Sequence, residues 1–141
     1  MSKVYTTAVH VRWSDQDVFG HVNNARLLTL LEDARIRFLT QVAAADGYPE
    51  FAAPKLVASQ SINYRRPVHF GPELLVDVSV ARIGSKSYTL GYLGRQDGVV
   101  VLDALTVMVP LTEAGGSARV LTDGEKTYLE KFLGRPVAAL V

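Results

Sequence analysis

The sequence predicts one α+β domain in which an antiparallel sheet of about five strands packs against a single long helix. Three observations carry that prediction. From Asn24 to Asp46 apolar residues recur at steps of three and four, with no Gly or Pro among them. From Lys55 to Val109 the apolar period falls to two. The later runs are joined by short connections rich in turn residues, which suit sequential hairpins rather than crossovers.

Residues 6–13 alternate, with Ala8, Val9 and Val11 set among Thr7, His10 and Arg12, and read as a first strand. In the helix, Leu27, Leu30, Leu31, Ala34, Phe38 and Val42 form one stripe, widened by Leu28 and Leu39. Asn23 or Asn24 can cap its start, and Gly47 with Pro49 ends it. About 20 residues of helix span near 30 Å. A strand over 55–64 stops at Arg65, Arg66 and Pro67. Residues 73–83 place Leu74, Val76, Val78 and Val80 on one face and Asp77, Ser79 and Ala81 on the other. Gly84, Ser85 and Lys86 turn the chain into a strand over 87–94, and Asp97-Gly98 is a hairpin signal leading into 99–109. Residues 112–119 read as loop. Thr122 and Glu125 then match a capping box, opening a short amphipathic helix through Leu133 that Gly134 and Pro136 close.

Composition narrows the function classes. The 141 residues are 48% hydrophobic and 21% charged with a net charge of +1, which fits one domain, 1–141, and gives no basic footprint for nucleic acid. The absence of cysteine excludes disulfides, a Cys nucleophile and thiolate zinc sites. Met1 to Tyr5 lack the apolar core of a signal peptide, and no apolar run approaches the ~20 residues of a membrane span. A cytoplasmic protein with no membrane partner is the expectation. Gly-x-Ser-x-Gly, phosphate-loop, dinucleotide and His-Glu-x-x-His motifs are missing. His10, His21 and His69 have no metal-ligand spacing, so metal-independent chemistry is expected.

What remains is the junction between the first strand and the helix, where Asp15 and Asp17 precede a helix N-terminus. First-turn N–H groups lack intrahelical partners, and the helix dipole favours negative charge there. A carbonyl lodged against such a donor is polarised, and losing one preorganised donor costs about 2.7–4 kcal/mol of barrier. A carboxylate just upstream can attack that carbonyl or deprotonate a water that does. The same two aspartates also suit cap and turn roles.

The full string Asp15-x-Asp17-x-x-Gly20-His21-Val22-Asn23-Asn24-Ala25, with Leu31-Glu32-Asp33-Ala34-Arg35 on the helix, resembles the 4-hydroxybenzoyl-CoA thioesterase family of hot-dog enzymes. Trp13-Ser14-Asp15 and His21 to Asn24 also resemble acyl-carrier-protein thioesterases. The resemblance covers roughly residues 5 to 110. It implies the hot-dog fold, a curved antiparallel sheet wrapped around one long helix, and hydrolysis of acyl-CoA in a homodimer or homotetramer. No cofactor is implied, since CoA is part of the substrate.

Carried over residue by residue, the resemblance makes Asp17 the catalytic carboxylate, assigns the polarising N–H to Asn24, and lets substrate pass close to the backbone at Gly20. Asp15 falls in a structural position. His21 stands open between a helper of Asp17 and a packing residue. Phe19 replaces the Asn of the carrier-protein enzymes and Leu27 replaces a usual tyrosine. At the coenzyme end Lys86 and Ser87 match, while two expected arginines are Gly84 and Ser85; Arg66, with Arg65, is the candidate to compensate. Leu27, Phe51 and Phe70 are candidates to line an acyl pocket. A carrier-protein or polyketide thioesterase and a non-catalytic acyl-CoA-binding protein are the alternatives. A hydratase is disfavoured, because Asp-x-Asn-Pro-x-x-His is absent.

Overall fold

A computed structural model describes residues 3–134. Strand β1 (Tyr5–Val9) leads through a 3-10 turn (Trp13–Asp15) to helix α1 (Asn24–Ile36), followed by β2 (Lys55–Tyr64), β3 (Leu74–Ile83), β4 (Tyr88–Gln96), β5 (Val99–Pro110) and helix α2 (Asp123–Glu130). The strands form one sheet in the order β1-β3-β4-β5-β2, every pairing antiparallel. This is the α+β arrangement expected of the hot-dog fold.

The expected first strand is too long at its C-terminal end. The Asp15 carboxylate accepts from the Arg12 N–H at 2.8 Å and from the Arg12 guanidinium at 3.0 Å. That pulls the chain into the 3-10 turn and leaves Trp13 72% exposed. The hairpin signal is obeyed: Asp97 and Gly98 have φ of 50° and 75°, the two positive values that a type I′ turn requires. Strand β4 consequently runs on to Gln96 instead of stopping at Gly94. Helix α2 ends at Glu130, short of Leu133, and Pro136 lies outside the described residues.

The long helix starts where expected, with the Asn23 side chain accepting from the Ala25 N–H at 2.9 Å. Beyond Ile36 it widens into a π-helical stretch (Arg37–Val42) before a last turn (Ala43–Ala45). The Thr40 hydroxyl donates to the Ile36 carbonyl, competing with the backbone ladder at that point. The wider turn accompanies burial of two consecutive large residues, Phe38 and Leu39.

Leu27, Leu31, Ala34 and Phe38 of this helix meet Val76, Val78, Val80, Leu90, Tyr92 and Leu102 on the inner sheet face. Edge strand β2 stands apart: it is exposed or half-buried along its whole length, and Leu56, Val57 and Tyr64 remain open. Among the described residues no helix is long and apolar enough to cross a membrane.

Candidate active site

Between β1 and α1 the backbone folds back on itself. Gln16 bridges Val22, the Asp17 N–H donates to the His21 carbonyl at 2.8 Å, and the Gly20 N–H donates to the Asp17 carbonyl at 3.1 Å. Gly20 closes this turn at φ +77°, where a side chain would strain the backbone. The tip residues Val18 and Phe19 project into solvent at 93% and 79% exposure. The turn is fastened to the β2–β3 connection by the Val22 N–H, which donates to the Val68 carbonyl at 2.8 Å.

The two aspartates therefore have different work. Asp15 is 3% exposed, is fully engaged with Arg12, and offers its backbone carbonyl to the Asn23 N–H at 2.9 Å. Burial, the largest single influence on its carboxyl, opposes ionisation. The hydrogen bonds from Arg12 and the charges of Arg12 and Arg26 together outweigh it and hold the group below the ordinary aspartate value. Asp17 is half-buried, and its Oδ1 accepts from the Phe19 N–H at 2.9 Å. Its Oδ2 has no protein partner among the described residues.

Asp17 opens onto a cavity of about 440 Å³ that it shares with Phe19, His21, Asn24, Leu27, Tyr64 and Arg66. That volume lies within the range of small-ligand sites. Asn24 is the first residue of α1, and its N–H has no acceptor among the described residues, as expected for a first-turn donor. One cavity is thus lined by Asp17, whose Oδ2 is unengaged, and by Asn24, whose helix-terminal N–H is unengaged.

The far wall comes from the end of β2. A register shift between Gly94 and Arg95 leaves Val101 as an extra residue in β5, and its carbonyl accepts from the Arg65 and Arg66 N–H groups at 2.8 and 3.1 Å. The Arg65 guanidinium pairs with Asp103 at 2.6 Å, a side chain 2% exposed that also accepts from Asn63 at 2.9 Å. Arg66 has no ion pair among the described residues and stays open to the cavity. The Tyr64 hydroxyl donates to the Asn24 carbonyl at 3.3 Å, joining the two walls.

Of the sequence-derived candidates, Asp17, Gly20, His21, Asn24 and Arg66 gather at this turn and cavity, as does Leu27. Lys86 and Ser87 do not. Leu75 pairs with Arg95 at the cavity end of the β3–β4 ladder and Ile83 with Tyr88 at the other. The turn carrying Lys86 lies beyond that second pair, about 25 Å along the strands at roughly 3.3 Å per residue. Phe51 is buried against Tyr88 and Tyr128 instead of lining the cavity, and Phe70 borders a separate groove with His10. Tyr64, Val68 and Gln96 were not singled out in the sequence, and His69 was weighed only as a metal ligand, because only the folded chain brings them near the turn. Among the described residues no three His, Asp or Glu side chains gather as a metal site.

A family model described as the thioesterase-like superfamily matches residues 11–123. The chain is 33% identical over 129 residues to the long-chain acyl-CoA thioesterase FadM of Escherichia coli, across 90% of this chain and 98% of that one. It is 34% identical over 122 residues to the uncharacterized protein YsmA of Bacillus subtilis, across 86% and 82% of the two chains. Among solved structures, a thioesterase from Thermus thermophilus complexed with coenzyme A and zinc superposes with a TM-score of 0.78 at 31% identity, over 93% of this chain and 95% of that one.

Proposed function

Because this chain is a thioester hydrolase belonging to the thioesterase-like superfamily, we propose that its reaction is the hydrolysis of acyl-CoA to a free carboxylic acid and CoA-SH. The observation that carries this reading is the single cavity lined by both Asp17 and Asn24. The similarity to FadM supports a long acyl chain, and the coenzyme in the Thermus thermophilus structure supports CoA as the carrier. Narrower membership of the 4-hydroxybenzoyl-CoA group rests on the Asp15–Asn24 motif and belongs to the same proposal.

In this reading the thioester carbonyl oxygen accepts from the Asn24 N–H, a fixed donor aimed at charge that grows as the carbonyl carbon is attacked. Asp17 takes a proton from water while the water oxygen bonds to that carbon. The C–S bond then breaks, and the thiolate leaves as CoA-SH with the proton returned. His21, on the cavity wall, is the candidate to assist that proton's passage. In the covalent route Asp17 itself forms the C–O bond as the C–S bond breaks and CoA leaves as a thiolate that takes a proton from solvent, and water then cleaves the resulting anhydride. Solvent oxygen-18 in a single turnover separates the two, since label in Asp17 requires the covalent route. Water is the only co-reactant, so the reaction calls for no cofactor.

Arg66 is the phosphate-binding candidate beside the cavity. Lys86 and Ser87 serve the nucleotide only if a second copy supplies them, which makes a homodimer, alone or within a homotetramer, part of the proposal. The long, open edge of β2, with Leu56 and Val57 exposed, supports strand pairing there.

The test is release of free thiol from a panel of acyl-CoAs by the wild type and Asp17→Asn. Loss of the base lowers turnover by about 10²–10⁴-fold. Equal rates would remove Asp17 from the mechanism. Hydrolysis of acyl-carrier-protein thioesters is a second reading, supported by the Trp13-Ser14-Asp15 and His21–Asn24 motifs, with Phe19 in place of the carrier-protein enzymes' Asn counting against it. Offering the same acyl group on CoA and on carrier protein distinguishes them.

A further inference from the structure

Gln96 is the last residue of β4, held there by the type I′ turn at Asp97 and Gly98, and it is 6% exposed. Its side-chain oxygen accepts from the His69 N–H at 3.0 Å, while its nitrogen donates to the His69 carbonyl at 2.9 Å and the Pro72 carbonyl at 3.0 Å. Both amide hydrogens and the oxygen are therefore spent on one stretch of the β2–β3 connection, which has no helix or strand of its own. Held in this way, the His69 ring lies 5.2 Å from the His21 ring at an interplanar angle of 81°, an edge-to-face contact. His21 in turn receives the Asp17 N–H on its carbonyl and lines the Asp17 cavity.

We propose that Gln96 and His69 are positioning residues for the hydrolysis: Gln96 fixes His69, and the His69 ring fixes His21 and the turn that presents Asp17. The proposal rests on the reading of that cavity as the thioesterase site. Neither side chain need touch the reacting atoms. Misplacement of a catalytic group by about 1 Å costs on the order of 10²-fold in rate, so even partial slackening of this chain of contacts is measurable.

His69→Ala deletes the ring, His69→Phe keeps an aromatic ring without its nitrogens, and Gln96→Leu keeps bulk while removing all three hydrogen bonds. His69→Ala and Gln96→Leu lower kcat by about 10-fold or more with KM within about twofold, because positioning acts in the transition state. His69→Phe restores kcat to within about threefold of the wild type. The double variant Gln96→Leu/His69→Ala is no slower than the slower single variant, since both act through one path.

Backbone amide resonances of Asp17, Gly20 and His21 provide a readout independent of turnover. They move in His69→Ala and Gln96→Leu, while those of α2 stay in place. An unchanged kcat in His69→Ala overturns the proposal, and so does a His69→Phe enzyme as slow as His69→Ala. A kcat loss matched by a fall in folded fraction overturns it as well, reducing Gln96 to a loop anchor. If the wild type cleaves no acyl-CoA or acyl-carrier thioester while the turn resonances still move as described, the functional reading fails and the mechanical link stands.

Discussion

The two ends of the sheet are held together by different forces. At the end where β3 turns into β4, rings do the holding. Phe38 lies 5.2 Å from Tyr128 and 4.8 Å from Phe132, Phe51 lies 5.4 Å from Tyr128, and Tyr128 donates its hydroxyl to the Phe38 carbonyl at 2.6 Å. At the end where β4 turns into β5, separate hydrogen bonds do the holding: Val22 to Val68 and Asn23 to Asp15 fasten the Asp17 turn, whose tip is solvent-exposed, while Arg65 and Arg66 to Val101 and Gln96 to His69 fasten the β2–β3 connection beside it. Packing is non-directional and cumulative, so it supplies stability. Hydrogen bonds are directional and individually worth about 0.5–1.5 kcal/mol, so they supply geometry. The division lets the site be polar and open without asking it to hold the domain together.

Substitutions that move one property and spare the other test this division. The largest effect is expected at Phe38, which is 0% exposed. Phe38→Ala lowers unfolding free energy by about 3–5 kcal/mol in denaturant titration, with turnover per folded molecule nearly unchanged. A comparable loss of activity would mean that the two ends are coupled.

Asn24→Pro reverses the pattern. Proline is tolerated at the first helical position, and Asn23 already has the extended conformation that precedes proline, φ −63° and ψ 143°. The substitution removes only the N–H, so kcat falls by about 10²–10³-fold while stability changes little. Asn24→Ala keeps the N–H and loses only a few-fold. If the two variants are equally slow, the side chain and not the N–H is at work.

Glu125 is the polar exception at the packed end. It is buried, accepts from the two terminal Arg119 nitrogens at 2.7 and 3.0 Å, and closes the α2 capping box with Thr122. Arg119 remains 22% exposed, so Glu125→Gln leaves a partly hydrated cation and costs about 2–3 kcal/mol, below the full loss for a buried pair. The loss is read by thermal unfolding, and activity per folded molecule is spared.

Features set by near neighbours in the chain were legible in sequence at both ends. The bounds of β2, the start of the long helix, the capping box at Thr122 and the Asp97-Gly98 hairpin depend on residues a few positions apart, and periodicity or turn chemistry reports them directly. At the site end the motif could be read as well, and Asp17, His21 and Asn24 do share a cavity. What surrounds them could not. Gln96 reaches His69 across 27 positions and Arg65 reaches Asp103 across 38, and nothing local in the sequence marks either pair. The distance of Lys86 and Ser87 from Asp17 was hidden for the same reason, since it follows from strand register. The π-helical stretch escaped because its apolar spacing still looks α-helical.

The smallest expected effect tests whether Asp15 belongs to the hydrogen-bonded frame and not to the chemistry. Asp15→Asn keeps the shape but weakens the bonds to Arg12 and loses the charge, at a cost of about 1–2 kcal/mol at neutral pH. The folded-state carboxyl sits below its ordinary value, so the ionised form is the one that folding favours. Its contribution is therefore fully present above the unfolded-state pKa of about 3.9, and is lost as pH falls through the lower folded-state value. Denaturant titrations of the two proteins should differ most between pH 5 and 7, begin to converge as pH falls below about 4, and meet only below the folded-state value. A gap that stays constant into acid would mean that Asp15 acts through shape alone. A kcat loss as deep as that of Asp17→Asn would place Asp15 in the reaction, and the separation of the two aspartates into frame and chemistry would fail.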